Sequence, residues 1–150
     1  MSGIQLVLPY PISANRYWRT FMPKGFKAPV TTLSKEAREY KASVGWMAKA
    51  AGIRQPIAGR VQVDIKLYPA RPQDWVKRAR ENPETWDDTV QCIDLDNARK
   101  VLYDALKGIA FDDDKFVRKD SGERMEPDGE ARVVVTITPI SISAVQGMLI

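Results

Sequence analysis

The chain has 150 residues, with 23 basic and 19 acidic side chains, no histidine and one cysteine, for a net charge of +4. That length supports one hydrophobic core without staples, and 28% charged with 44% hydrophobic residues is too apolar for a disordered chain. The missing histidines exclude Ser-His-Asp and Cys-His catalysis, and the lone Cys92 excludes an internal disulfide and an ordinary structural zinc site, leaving carboxylates, lysines and a hard metal ion for any chemistry.

In chain order, Ile4–Leu8 alternates like a short strand and is stopped by Pro9-Tyr10-Pro11. This opening carries no basic leader and no run near the roughly 18 apolar residues of a membrane span. A cytoplasmic protein with no membrane partner is therefore expected. The stretch 10–32 scatters Pro, Gly, Asn and Thr and reads as a long loop. Ser34 is an N-cap candidate for a helix over 35–51, with Tyr40, Val44, Met47 and Ala48 on one face and Gly52 at its stop. Residues 60–68 alternate Val61, Val63, Ile65 and Leu67 with polar positions, which predicts a strand with one buried face.

From Pro69 to Cys92 the chain turns polar, with Trp75 and Trp86, and reads as an excursion with one or two helical turns near 73–81. Packing is the expected role of both tryptophans. Residues 97–109 form the clearest helix, burying Ala98, Leu102, Ala105, Leu106 and Ile109. A turn at 111–114, a strand start at 115–120, a loop at Gly122–Gly129 and an alternating strand at 131–138 follow. The tail 139–150 is apolar without pattern. The order β-α-β-(excursion)-α-β-β predicts one α+β domain over 1–150, a mixed sheet with helices packed on it, closing on an antiparallel hairpin.

Chemistry concentrates in Asp94, Asp96 and Asn97 ahead of the 97–109 helix, with Lys100 inside it and Asp112, Asp113 and Asp114 beyond it. Residues two apart on a helix diverge by about 200°. Asp94 and Asp96 share a side only if 94–96 is extended, with Asp96 then the N-cap. Lys100 follows Asp96 by one helical turn and Asp104 follows Lys100 by another. The acids at 112–114 begin at the helix's far end, roughly 20 Å away by its rise per residue. They meet the first pair only if the next strand runs back or a second subunit supplies them. Spacing alone leaves two readings standing, a metal site and a capping segment with solvated acids. Charge is also uneven: Arg16, Arg19, Lys24, Lys27, Lys35, Arg38 and Lys41 face only Glu36 and Glu39 in the first 41 residues. Such a surface suits a polyanion such as DNA or RNA.

Three ordered blocks resemble the RusA family of Holliday-junction resolvases of bacteria and their prophages. They are Leu8-Pro9-Tyr10-Pro11 running into Asn15-Arg16-Tyr17-Trp18-Arg19; Asp94-Leu95-Asp96-Asn97 with Lys100 and Asp104-Ala105-Leu106; and Asp113-Asp114-Lys115-Phe116-Val117. The resemblance implies a RusA-like fold and a homodimer that cuts four-way DNA junctions by paired nicks in recombination and repair. It implies magnesium, with manganese as a substitute, held by Asp94, Asp96 and Asp114 and assisted by Lys100 as catalytic lysine. Asp113 is the substitute third ligand, and the two-residue gap to Val117 favours Asp114. DNA contact is implied for the N-terminal segment, where Asn15, Arg16, Tyr17, Arg19, Lys24 and Lys27 stand. The stretch 70–93 is longer than the family's connection, and Ile93 stands where a basic residue is common. The alternative is an inactive or differently targeted branched-DNA-binding protein of the same fold.

Overall fold

Four strands with alternating or polar sequences, and two amphipathic helices, set the architecture in the computed structural model, which describes residues 3–141. In chain order the first half comprises β1 (Ile4–Pro9), α1 (Ala14–Tyr17), β2 (Trp18–Phe21), β3 (Val30–Leu33), α2 (Lys35–Ala50) and β4 (Val61–Tyr68). The second half comprises α3 (Trp75–Glu81), α4 (Leu95–Leu106), β5 (Val117–Arg124) and β6 (Arg132–Pro139), with single 3-10 turns at Trp86–Thr89 and Asp114–Phe116. The expected α+β class holds, with a mixed sheet and helices packed on it.

The main sheet runs β1-β6-β4-β5. Strand β4 pairs antiparallel with β6 (Val63 opposite Ile137, Leu67 opposite Val133) and parallel with β5 (Asp64 opposite Ser121). The expected closing hairpin does not form, because β4 lies between β5 and β6. The physical reason is composition. Strand β4 buries Val61, Val63, Ile65 and Leu67 and takes the centre, where partners on both sides satisfy its backbone. Strand β5, Val-Arg-Lys-Asp-Ser-Gly-Glu-Arg, has almost no apolar face and takes the edge, where charged side chains block further pairing. It continues through Gly122 to Arg124, into the stretch expected to be loop.

Leu6, Leu8, Val133, Val135 and Ile137 point the same way as the β4 set and pack under α2 and α4. Helix α2 begins as expected at Ser34, whose Oγ accepts the Ala37 amide at 3.0 Å, a cap worth about 1 kcal/mol. Tyr40, Val44 and Ala48 are buried, but Met47 is 41% exposed. The i+7 position from Tyr40 sits at the edge of the apolar arc, not within it. Gly52 takes φ +99°, the left-handed geometry of a helix stop.

The stretch 10–32 is not one loop. It holds α1 and the β2–β3 hairpin, a ribbon apart from the main sheet with Trp18 opposite Leu33 and Phe21 opposite Val30. Within 70–93, α3 falls inside the expected turns, and Trp86 is 3% exposed with its Nε1 donating to Glu126 at 2.9 Å. Trp75 is half-buried against it. Arg124 ties the excursion to β5 by donating to the Asp87 and Val90 carbonyls. Of the tail at 139–150, Pro139 ends β6, while 142–150 lies outside the described residues.

Candidate active site

Helix α4 starts two residues earlier than its periodicity suggests. Asp94, not Asp96, is the N-cap: its backbone is extended (φ −74°, ψ 159°) and its Oδ1 accepts the Asn97 amide at 2.7 Å. Asp96 lies in the first helical turn. The condition that 94–96 be extended therefore fails, since a carboxylate at position 94 is itself a good cap and lets the helix nucleate one residue after it. Both carboxylates nonetheless lie within reach of the Lys100 charge. Lys100 Nζ lies 3.3 Å from Asp96 Oδ2, and its charge also acts on Asp94. Asp94 is held below the usual carboxylate range, first by the Asn97 amide, then by the Asn97 side chain, and further by Lys100. The two carboxylates are exposed at the positive end of the α4 dipole.

Asp94 and Asn97 border a cleft of about 510 Å³, walled also by Tyr10, Ser13, Cys92 and Ile93. The Tyr10 hydroxyl accepts the Ile93 amide at 2.8 Å and so fixes the chain just ahead of Asp94. Burial, with Cys92 beside it, pushes this phenol up to about 12.

The acids at 112–114 do not reach this rim. Twelve residues of α4 span about 18 Å, and the Asp112–Asp114 turn follows its other end. Strand β5 does run back along α4, but it brings Asp120 alongside, which accepts from the Tyr103 hydroxyl at 2.6 Å and pairs with Arg99 at 3.0 Å. Among the described residues, no three His, Cys, Asp or Glu side chains lie together as a metal would require. One chain thus brings two carboxylates and a lysine to this rim, oxygen donors of the kind that could hold a hard cation. Asp113 is engaged, accepting the Lys115 amide and lying 3.6 Å from Lys107. Asp114 is exposed, and its carboxylate has no hydrogen bond or ion pair among the described residues.

The N-terminal segment is rooted on the same helix. The Ala14 amide donates to Asn97 Oδ1 at 3.2 Å. Tyr17 is fully buried and donates to Asp104 at 2.5 Å, so it anchors the segment and presents no face to a ligand. Lys41 also approaches Asp104, at 3.6 Å, which takes Asp104 out of the Lys100 stack. Asn15, Arg16, Arg19, Lys24 and Lys27 are all exposed; Arg16 pairs with Glu36 and the Arg19 guanidinium lies 5.1 Å above the Phe21 ring. At the ribbon's apex Met22 and Phe26 are 56% and 61% exposed. No acidic residue occurs before Glu36. Sequence reasoning missed the ribbon and the Tyr10 and Tyr17 anchors, since hydroxyl-to-backbone and hydroxyl-to-carboxylate contacts across 83 and 87 residues leave no local signal.

The family model for endodeoxyribonuclease RusA matches residues 9–138, from the Pro9 turn to the end of β6. Nothing among curated proteins matches the chain. No described helix is long and apolar enough to cross a membrane. A mixed sheet, a capped helix carrying Asp94, Asp96 and Lys100, and a family match over 130 of 150 residues (9 through 138) leave one assignment: the chain belongs to the RusA endodeoxyribonuclease family of Holliday-junction-resolving nucleases.

Proposed function

We propose that this chain is a magnesium-dependent endonuclease that resolves four-way DNA junctions by paired nicks, working as a homodimer in recombination and repair, with manganese able to substitute. The observation that carries the proposal is the grouping of Asp94, Asp96 and Lys100 on one exposed rim beside a carboxylate-free, basic N-terminal segment. Asp94 and Asp96 would hold the ion. A bound magnesium supplies Lewis-acid charge and a water of lowered pKa. Lys100, held beside Asp96, is placed to neutralise a phosphate oxygen, a contribution of about 10²–10³-fold where such groups have been removed. Arg19, Lys24 and Lys27 on the ribbon, with Asn15 at its root, are suited to the sugar-phosphate backbone.

The third carboxylate is about 18 Å away along α4 by helical rise, so we infer that it comes from a second copy of the chain. Asp114 is the better candidate, because Asp113 is already committed to Lys107 and the Lys115 amide. A two-fold pair built this way carries two equivalent sites, matching two symmetric cuts in a four-way junction. The long excursion favours a second reading, another branched substrate, because Ala70 and Gln91 form part of the cleft wall. Comparing cleavage of four-way, fork, flap and duplex DNA separates the two.

The test is magnesium-dependent nicking of a synthetic four-way junction by Asp94→Asn and Asp96→Asn. Both variants should lose cleavage while retaining junction binding. Cleavage by both at the parent rate would sink the assignment.

A further inference from the structure

Asn97 occupies the third position of α4, three residues after the cap. Asparagine is a poor helix former, and at this position the residue that serves helix entry is Glu or Gln, reaching back to the cap's own amide. Asn97 does something else. Its Nδ2 donates to both carboxylate oxygens of Asp94, each at 3.0 Å, while its Oδ1 accepts the Ala14 amide at 3.2 Å. The orientation of the amide is fixed by its partners, because an N–H must face oxygen and a carboxylate must face the NH₂. Together with the Asn97 backbone amide on Oδ1 at 2.7 Å, these contacts set both the position and the plane of the Asp94 carboxylate. They also join it to the residue that opens α1, one before Asn15 and five before Arg19.

We propose that Asn97 is a positioning residue that orients Asp94 for metal binding and couples that orientation to the DNA-facing N-terminal segment. The proposal rests on the reading of Asp94 as a metal ligand. It differs from a simple cap in needing both ends of the side-chain amide. Outer-shell partners that orient a ligating carboxylate contribute about 10–100-fold in metal affinity or activity.

Three substitutions in the full chain separate the parts. Asn97→Ala removes both ends. Asn97→Asp keeps an acceptor for Ala14 but sets a second carboxylate against Asp94. Ala14→Pro removes only the donor, at the first position of a helix where proline is tolerated and after Ser13, whose ψ of 154° suits a residue before proline. The readouts are Mn²⁺ binding by titration calorimetry, single-turnover nicking at saturating junction, and junction affinity without metal. Asn97→Ala and Asn97→Asp should weaken Mn²⁺ binding and slow nicking by about 10-fold or more, with metal-free junction affinity within about threefold. Ala14→Pro should give a smaller loss that adds nothing when combined with Asn97→Ala, since both break one chain of contacts. Unchanged Mn²⁺ affinity in Asn97→Ala, or in the folded Asn97→Asp if the alanine variant does not fold, overturns the inference and leaves the nuclease reading standing. A parent protein that binds no Mn²⁺ overturns both.

Discussion

Tyr10 shows how a single side chain prepares the rim. Its hydroxyl must stay protonated in a half-buried position while it accepts the Ile93 amide, and burial beside Cys92 moves its titration up to about 12. Tyr17, Tyr40 and Tyr103 are pushed up as well, chiefly by burial, with Asp104 acting on Tyr17 and Asp120 on Tyr103. A raised folded-state value means that the neutral form is favoured by folding. The associated stability is complete below the unfolded tyrosine value near about 10 and is lost as pH rises towards 12. The urea midpoint should therefore hold steady from about pH 8 to the unfolded value and fall between 10 and 12. A midpoint unchanged at pH 12 would contradict the burial of these phenols. Asp94 carries the opposite sign: the Asn97 amide and side chain, with the Lys100 charge, favour its ionised form.

Among the elements, the β2–β3 ribbon is the one whose chemistry is most open to a direct test. Lys24 and Lys27 flank Gly25, which takes φ +85° at the turn, and neither lysine has an acidic partner nearby in sequence. Each lysine that meets a phosphate contributes about one unit to the salt slope of binding. Lys24→Ala with Lys27→Ala should lower the slope of log affinity against log salt by about two and leave nicking at saturating junction unchanged. An unaltered slope would remove the ribbon from the DNA path. This element was also the least legible in the sequence. Its strands are four residues each, and threonine, proline and lysine break the alternation, so no periodic signal could build up. Helices α2 and α4 and strands β4 and β6 were legible because each buries one face of a long periodic segment. Strand β5 was legible in place but not in pairing, since its polar sequence carries no preference between β4 and β6 as neighbour. In the candidate site, Asp94, Asp96 and Lys100 sit within seven residues and local spacing found them. The cap falls two residues before the expected Asp96, because Asp94 and Asp96 are equally good caps by composition. The contact that ties Asn97, and through it Asp94, to Ala14 joins residues 83 apart in the chain and was not readable.

For the whole molecule, the decisive geometric fact is that α4 holds its acids at opposite ends. Asp94 and Asp96 sit at the start, Asp113 and Asp114 beyond the end, and β5 returns with Asp120 already committed to Tyr103 and Arg99. The three-aspartate site proposed above would then be shared between copies, and sharing gives a sharp genetic signature. Asp94→Asn and Asp114→Asn should each be inactive alone. Co-expressed as differently tagged chains and purified through both tags, they form a hybrid pair in which one site has lost two ligands and the other keeps all three. The hybrid should nick a synthetic four-way junction on one strand only, in magnesium. A hybrid as inactive as either parent variant, alongside an active unmodified protein, would contradict a site built from two copies.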